Sequence, residues 1–69
     1  MNLKRDKIND LMQIYFNGSN GKFAKAIGVD HVHLQHFLNT GIGGGRVLIG
    51  GIYKFCKEKE LNFEDYIEL

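Results

Sequence analysis

The chain is 69 residues long, 43% hydrophobic and 25% charged, so one small globular domain is expected and intrinsic disorder is not. A domain near this size buries only about 60% of the surface its unfolded chain exposes, which excludes a multidomain enzyme and argues against an enzyme of any kind. The formal net charge is +1 but unevenly spread: residues 1–54 hold seven Lys and Arg against three Asp, and residues 55–69 hold two Lys against five acidic residues. A basic body with an acidic last segment suits a polyanionic partner on one side, or simply a solvated mixed-charge surface.

The apolar runs are far shorter than the roughly 18 residues of a membrane span, so no membrane contact is expected. No apolar segment follows the charges of Lys4-Arg5-Asp6-Lys7, so no signal peptide is readable. The single cysteine, Cys56, cannot close an internal disulfide and favours a reducing, cytoplasmic setting.

In chain order, the absence of proline and the scatter of β-branched residues favour helices. Leu3 to Phe16 carries Ile8, Leu11, Met12 and Tyr15 at the i, i+3, i+4, i+7 spacing of an amphipathic helix. Asn17-Gly18-Ser19-Asn20-Gly21 breaks it and supplies a cap for a short helix, Asn20 to Ile27, whose inner face is Phe23, Ala24 and Ile27. Gly28 closes that segment, where the chain must turn through a left-handed conformation. Asp30 is placed to cap a third helix, His31 to Leu38, which buries Leu34, Phe37 and Leu38. Its outward residues are His31, Val32, Gln35, His36 and Asn39.

Six of the nine glycines fall between residues 41 and 51, and two readings compete there. In the favoured one Arg46 to Lys59 is a helix with Leu48, Ile52 and Phe55 inside. Gly50 and Gly51 would each cost that helix about 1 kcal/mol relative to alanine, which makes sense if another backbone approaches closely. In the other reading Val47–Ile49 and Ile52–Phe55 form a hairpin about the Gly-Gly pair, but the alternation is poor. Asn62 with Asp65 three residues on resembles a capping box, flanked by Leu61 and Tyr66 as a hydrophobic staple. A short fifth helix, Phe63 to about Glu68, is expected to follow.

Residues 20–39 carry the functional signal. Two helices crossing steeply over a short turn need a small residue where they touch, a glycine at the turn and apolar residues holding the second helix down. Ala24, Gly28, and Ile27 with Leu34 and Phe37 fill those roles.

The frame Ala24-x-x-x-Gly28-Val29-x-x-x-x-Leu34-x-x-Phe37, opened by Asn20, resembles the helix-turn-helix of the phage Cro and CI repressor family, the lambda-repressor-like DNA-binding domains. The resemblance implies an all-α bundle of five short helices across residues 1–69. It also implies a sequence-specific, duplex-DNA-binding transcriptional regulator of phage or mobile-element origin. The helix from His31 would lie in the major groove, with His31, Val32, Gln35, His36 and Asn39 as its base-reading set. Gln can pair with adenine and Val can meet a thymine methyl. The helix lacks Arg and Lys, so the commonest specific contact to guanine is missing.

Phosphates would be met at helix starts: by the N–H groups of Asn20 and Gly21 beside Lys22 and Lys25, and by Gly44 and Gly45 beside Arg46. The bland alternatives are solvated lysines and a flexible glycine connector. The glycine run matches neither a dinucleotide loop, because no strand precedes it, nor a Walker A loop, because no Gly-Lys-Ser/Thr follows.

Useful specificity from so small a domain normally needs a symmetric dimer, for which Phe63, Tyr66, Ile67 and Leu69 are the candidate surface; the same residues could instead cover the chain's own core. His31, His33 and His36 with Cys56 do not make the four-ligand spacing of a structural zinc site, so neither metal nor cofactor is expected. An imidazole that gains a proton gains a positive charge, so a groove-facing histidine set is expected to strengthen nucleic-acid binding as pH falls. Cys56, Phe16, Phe23, Phe37 and Phe55 fit core positions, and no Ser–His–Asp set or paired carboxylates stand at a catalytic spacing. A phage-encoded module that docks this scaffold on a host protein is the alternative function, and a nucleic-acid accessory protein without sequence preference is a minor third.

Overall fold

The structure, a computed structural model, describes residues 2–42 and 45–68. Its elements are β1 (Asn2–Leu3), α1 (Arg5–Phe16), α2 (Asn20–Ile27), α3 (His31–Thr40), α4 (Arg46–Glu58), a 3₁₀ turn (Phe63–Tyr66) and β2 (Ile67–Glu68). Four α-helices are present among the described residues, not five. The expected C-terminal helix is a single 3₁₀ turn running into a strand. That strand pairs antiparallel with the N-terminus, Asn2 opposite Glu68 and Leu3 opposite Ile67, and Lys4 N–H donates to the Tyr66 carbonyl at 2.8 Å. Leu3 is therefore a strand residue and not the first turn of α1; both Leu3 and Ile67 are buried, one covering each end of the chain.

Each helix follows from its apolar spacing. Ile8, Leu11 and Met12 of α1, Phe23, Ala24 and Ile27 of α2, Leu34 and Phe37 of α3, and Leu48, Ile52, Phe55 and Cys56 of α4 converge on one core. Phe16 and Phe23 stack at 5.2 Å between centroids, and Phe55 meets Phe16 at 5.7 Å and Phe23 at 6.3 Å, so the aromatic centre joins α1, α2 and α4. Two expected core residues sit further out. Leu38 is half-buried and Tyr15 is exposed, its ring edge-on to Phe55. Among the described residues no helix is long and apolar enough to cross a membrane.

Residues 46–58 are helical, which overturns the hairpin variant for 47–55. The physical reason lies at Gly51. A Cβ there would collide with the backbone carbonyl oxygen of Ile27 and lie 3.1 Å from Ile27 Cβ. The end of α2 thus rests directly on the α4 backbone, and the helical penalty of one glycine is the condition for that approach. At Gly50 a Cβ would meet nothing within 4 Å, so its glycine has no such packing reason.

Candidate nucleic-acid interface

The α2–α3 corner is built from capping chemistry. Ser19 Oγ accepts from Lys22 N–H at 3.3 Å and starts α2. Gly28 ends it at φ +74°, a left-handed conformation that costs an L side chain strain. Its N–H reaches the Lys25 carbonyl and Val29 N–H the Ala24 carbonyl at 3.0 Å, the paired bonds of a Schellman end. Two residues later Asp30 Oδ1 accepts from Val32 N–H at 2.9 Å and starts α3. Stop and start therefore fall within three residues, and the buried Leu34 and Phe37 fix which side of α3 faces inward.

The opposite side of α3 is open. His31, Val32, Gln35, His36 and Asn39 are all exposed, Val32 at 63% despite its apolar side chain. α3 also runs two residues beyond the expected Leu38, to Thr40, whose Oγ1 donates to the His36 carbonyl at 2.8 Å, and Gly41 then caps the end in a left-handed conformation. His31 Nδ1 lies 3.8 Å from Asp30 Oδ1, a pairing in which the imidazole carries charge only when protonated.

A polar chain crosses this face. Asn20 Nδ2 donates to Gln35 Oε1 at 2.6 Å, and Gln35 Nε2 donates to Asn39 Oδ1 at 2.9 Å. The first residue of α2 and two successive turns of α3 are thereby tied together. Sequence spacing could not show this link, because Asn20 and Gln35 are fifteen residues apart on different helices. Asn20 Oδ1, by contrast, is buried without a hydrogen-bond partner.

The phosphate candidates flank that face in the chain. Gly21, Lys22 and Lys25 are exposed on α2, and Gly45 and Arg46 are exposed at the start of α4. Among the described residues none of Lys22, Lys25 and Arg46 forms an ion pair with a carboxylate. Gly44 lies outside the described residues. Arg5, which sequence spacing did not single out, places Nη1 3.5 Å from the Asn39 carbonyl, a cation at the negative end of α3.

The dimer candidates are largely spent within the chain. Ile67 is buried and paired through β2, Tyr66 is half-buried against the core, and Phe63 packs edge-on to Tyr53 with centroids 5.2 Å apart. Leu69 lies outside the described residues. The Asn62 cap is one-sided: Asn62 Oδ1 accepts from Glu64 N–H at 3.2 Å, while Asp65 uses its backbone N–H to reach the Asn62 carbonyl.

Cys56 is buried, and burial, reinforced by the nearby Asp65 carboxylate, pushes its thiol above the ordinary range. Burial likewise raises the Tyr66 hydroxyl, with Cys56, Tyr15, Asp65 and Asp10 adding to it. Both groups are held neutral at physiological pH. Among the described residues no three His, Cys, Asp or Glu side chains are grouped to hold a metal ion. No protein-family model, curated protein or solved structure matches the chain.

Proposed function

We propose that this protein binds duplex DNA sequence-specifically by laying α3 in the major groove, as a small transcriptional regulator of the kind its 20–39 segment resembles. The observation that carries this reading is the outward row Val32, Gln35, His36 and Asn39 on a helix whose other side is pinned by Leu34 and Phe37. An exposed valine next to exposed amides supplies both a partner for a thymine methyl and donors and acceptors for base edges. Lys22, Lys25 and Arg46, without carboxylate partners among the described residues, are available to phosphate. A homodimer on half-sites about one helical turn apart would supply specificity that one domain lacks.

A host-protein docking role is the second reading. It is favoured by the apolar exposure of Val32, Ile42 and Val47, at 63%, 68% and 67%. One experiment separates the two. Binding to a randomised duplex pool is measured against salt, and the bound fraction is sequenced. A regulator enriches one pseudo-palindrome, and the logarithm of its binding constant falls linearly with the logarithm of salt concentration. Absence of both, with one host protein recovered on the immobilised chain, would replace the DNA reading with the docking one.

A further inference from the structure

The outward side of α4 has no part in the reading of α3 and differs from an ordinary solvated helix face. With Leu48, Ile52 and Phe55 inside, helical periodicity puts Gly50, Tyr53 and Lys57 on the far side, with Val47 and Lys54 along its flank. All five are exposed, Val47 at 67% and Tyr53 at 50%. Gly50 lowers helix propensity where, unlike at Gly51, no part of the chain comes close: a Cβ would meet nothing within 4 Å. Stability of the single chain therefore does not explain this glycine. Along the axis Val47 and Tyr53 stand three residues before and after it, about 4.5 Å each way, and leave a notch between them.

Tyr53 is held from two directions. Its ring stands edge-on to Phe63 with centroids 5.2 Å apart, and Lys57 Nζ lies 5.8 Å from its centroid. A half-exposed aromatic ring already fixed in place is the kind of group that anchors protein partners, because little freedom is lost on binding. From Arg46 to Lys57 the charged residues of α4 are Arg46, Lys54 and Lys57, with no acid among them. None of the three forms an ion pair with a carboxylate among the described residues. The surface is thus a notch with one aliphatic and one aromatic wall, rimmed by unpaired cations.

Those features select among occupants. A second copy presenting the same side of α4 would bring like charges together. A phosphate backbone would satisfy the cations but has no side chain to fill the notch or cover Val47. An acidic peptide segment with an aliphatic residue among its carboxylates does both. Its aliphatic group enters at Gly50 between Val47 and Tyr53, and its carboxylates meet Lys54 and Lys57. We propose that the outward side of α4 is a docking site for such a segment of a partner protein, and that position 50 is glycine to admit it. The inference goes beyond the DNA-binding reading, uses a different helix and stands or fails apart from it.

The test selects a displayed library of random peptides on the immobilised chain and titrates the enriched peptides against wild type, G50A, Y53A and the double variant K54E/K57E. Wild type should enrich peptides that cluster Asp and Glu around an aliphatic residue, with affinity falling as salt rises. G50A should weaken their binding by about 5-fold or more while raising the thermal midpoint, so that lost folding cannot account for the change. Y53A should cost about 30-fold, the mark of an anchoring residue. K54E/K57E should abolish binding of the acidic peptides. Enriched peptides without acidic residues, equal binding by G50A, or enrichment of no peptide at all would overturn the site. If K54E/K57E weakens binding of random duplex DNA and spares the peptides, α4 meets nucleic acid and the partner assignment is overturned. Should the duplex selection described above fail while these peptides bind as stated, the DNA-binding reading falls and this site stands.

Discussion

Gly51→Ala should destabilise the protein even though alanine is the better helix former. Alanine in place of a mid-helix glycine gains about 1 kcal/mol of propensity, and Gly50, with open space at its Cβ position, should realise most of that. At Gly51 the added methyl runs into the Ile27 carbonyl oxygen and approaches Ile27 Cβ to 3.1 Å. A backbone carbonyl at a helix end cannot rotate aside as a side chain can, so the upper part of the usual overpacking cost of about 1–3 kcal/mol applies. Setting the propensity gain against it leaves a net loss of about 1–2 kcal/mol. In a domain of this size each kcal/mol moves Tm by about 4–8 °C. Gly50→Ala should therefore raise Tm by about 4–8 °C, and Gly51→Ala should lower it by roughly 4–16 °C. Circular dichroism melts of the two variants beside wild type make the comparison. Because Ile27 immediately precedes the Gly28 corner, Gly51→Ala should also weaken DNA binding below its melting range. Equal stabilisation by both substitutions would refute the close α2–α4 approach.

Asp30→Ala removes the cap of α3 and should cost about 1 kcal/mol, seen as a lower denaturation midpoint with an unchanged m-value. Arg46→Ala should weaken binding to all duplexes alike and reduce the salt slope by about 1; a change confined to base preference would contradict its phosphate role. For Cys56, the folded thiol holds its proton at a pH where the unfolded thiol has lost it. Its contribution to stability is thus complete below the ordinary thiol value of about 8.5 and is lost as pH rises through the folded value. Cys56→Ala should flatten the alkaline fall in Tm, and the native thiol should react slowly with thiol reagents until the chain unfolds.

The helices were legible in the sequence because α1 and α4 carry apolar residues at a 3.6-residue period over about two turns, and because Gly28 and Asp30 mark a stop and a start so close together between the shorter α2 and α3. The exposed face of α3 was legible for the same reason: once Leu34 and Phe37 are inside, geometry puts Val32, Gln35, His36 and Asn39 outside. Two-residue strands at opposite ends of the chain leave no alternation to detect, and their pairing depends on tertiary contact alone. Phe63–Glu68 is too short to distinguish a 3₁₀ turn and strand from a helix by periodicity. The hold of Asn20 on Gln35 was hidden because it needs the relative placement of two helices, not the pattern of either.

The central claim is that α3 is the surface that enters the groove. A titration of ¹⁵N-labelled protein with the enriched duplex, followed by amide shifts, addresses it residue by residue. The largest perturbations should fall between His31 and Asn39 and at Gly21, Lys22 and Arg46, with Ile14 and Lys57 nearly still. Perturbations centred on Ile14, Tyr53 and Lys57, with α3 unmoved, would contradict it.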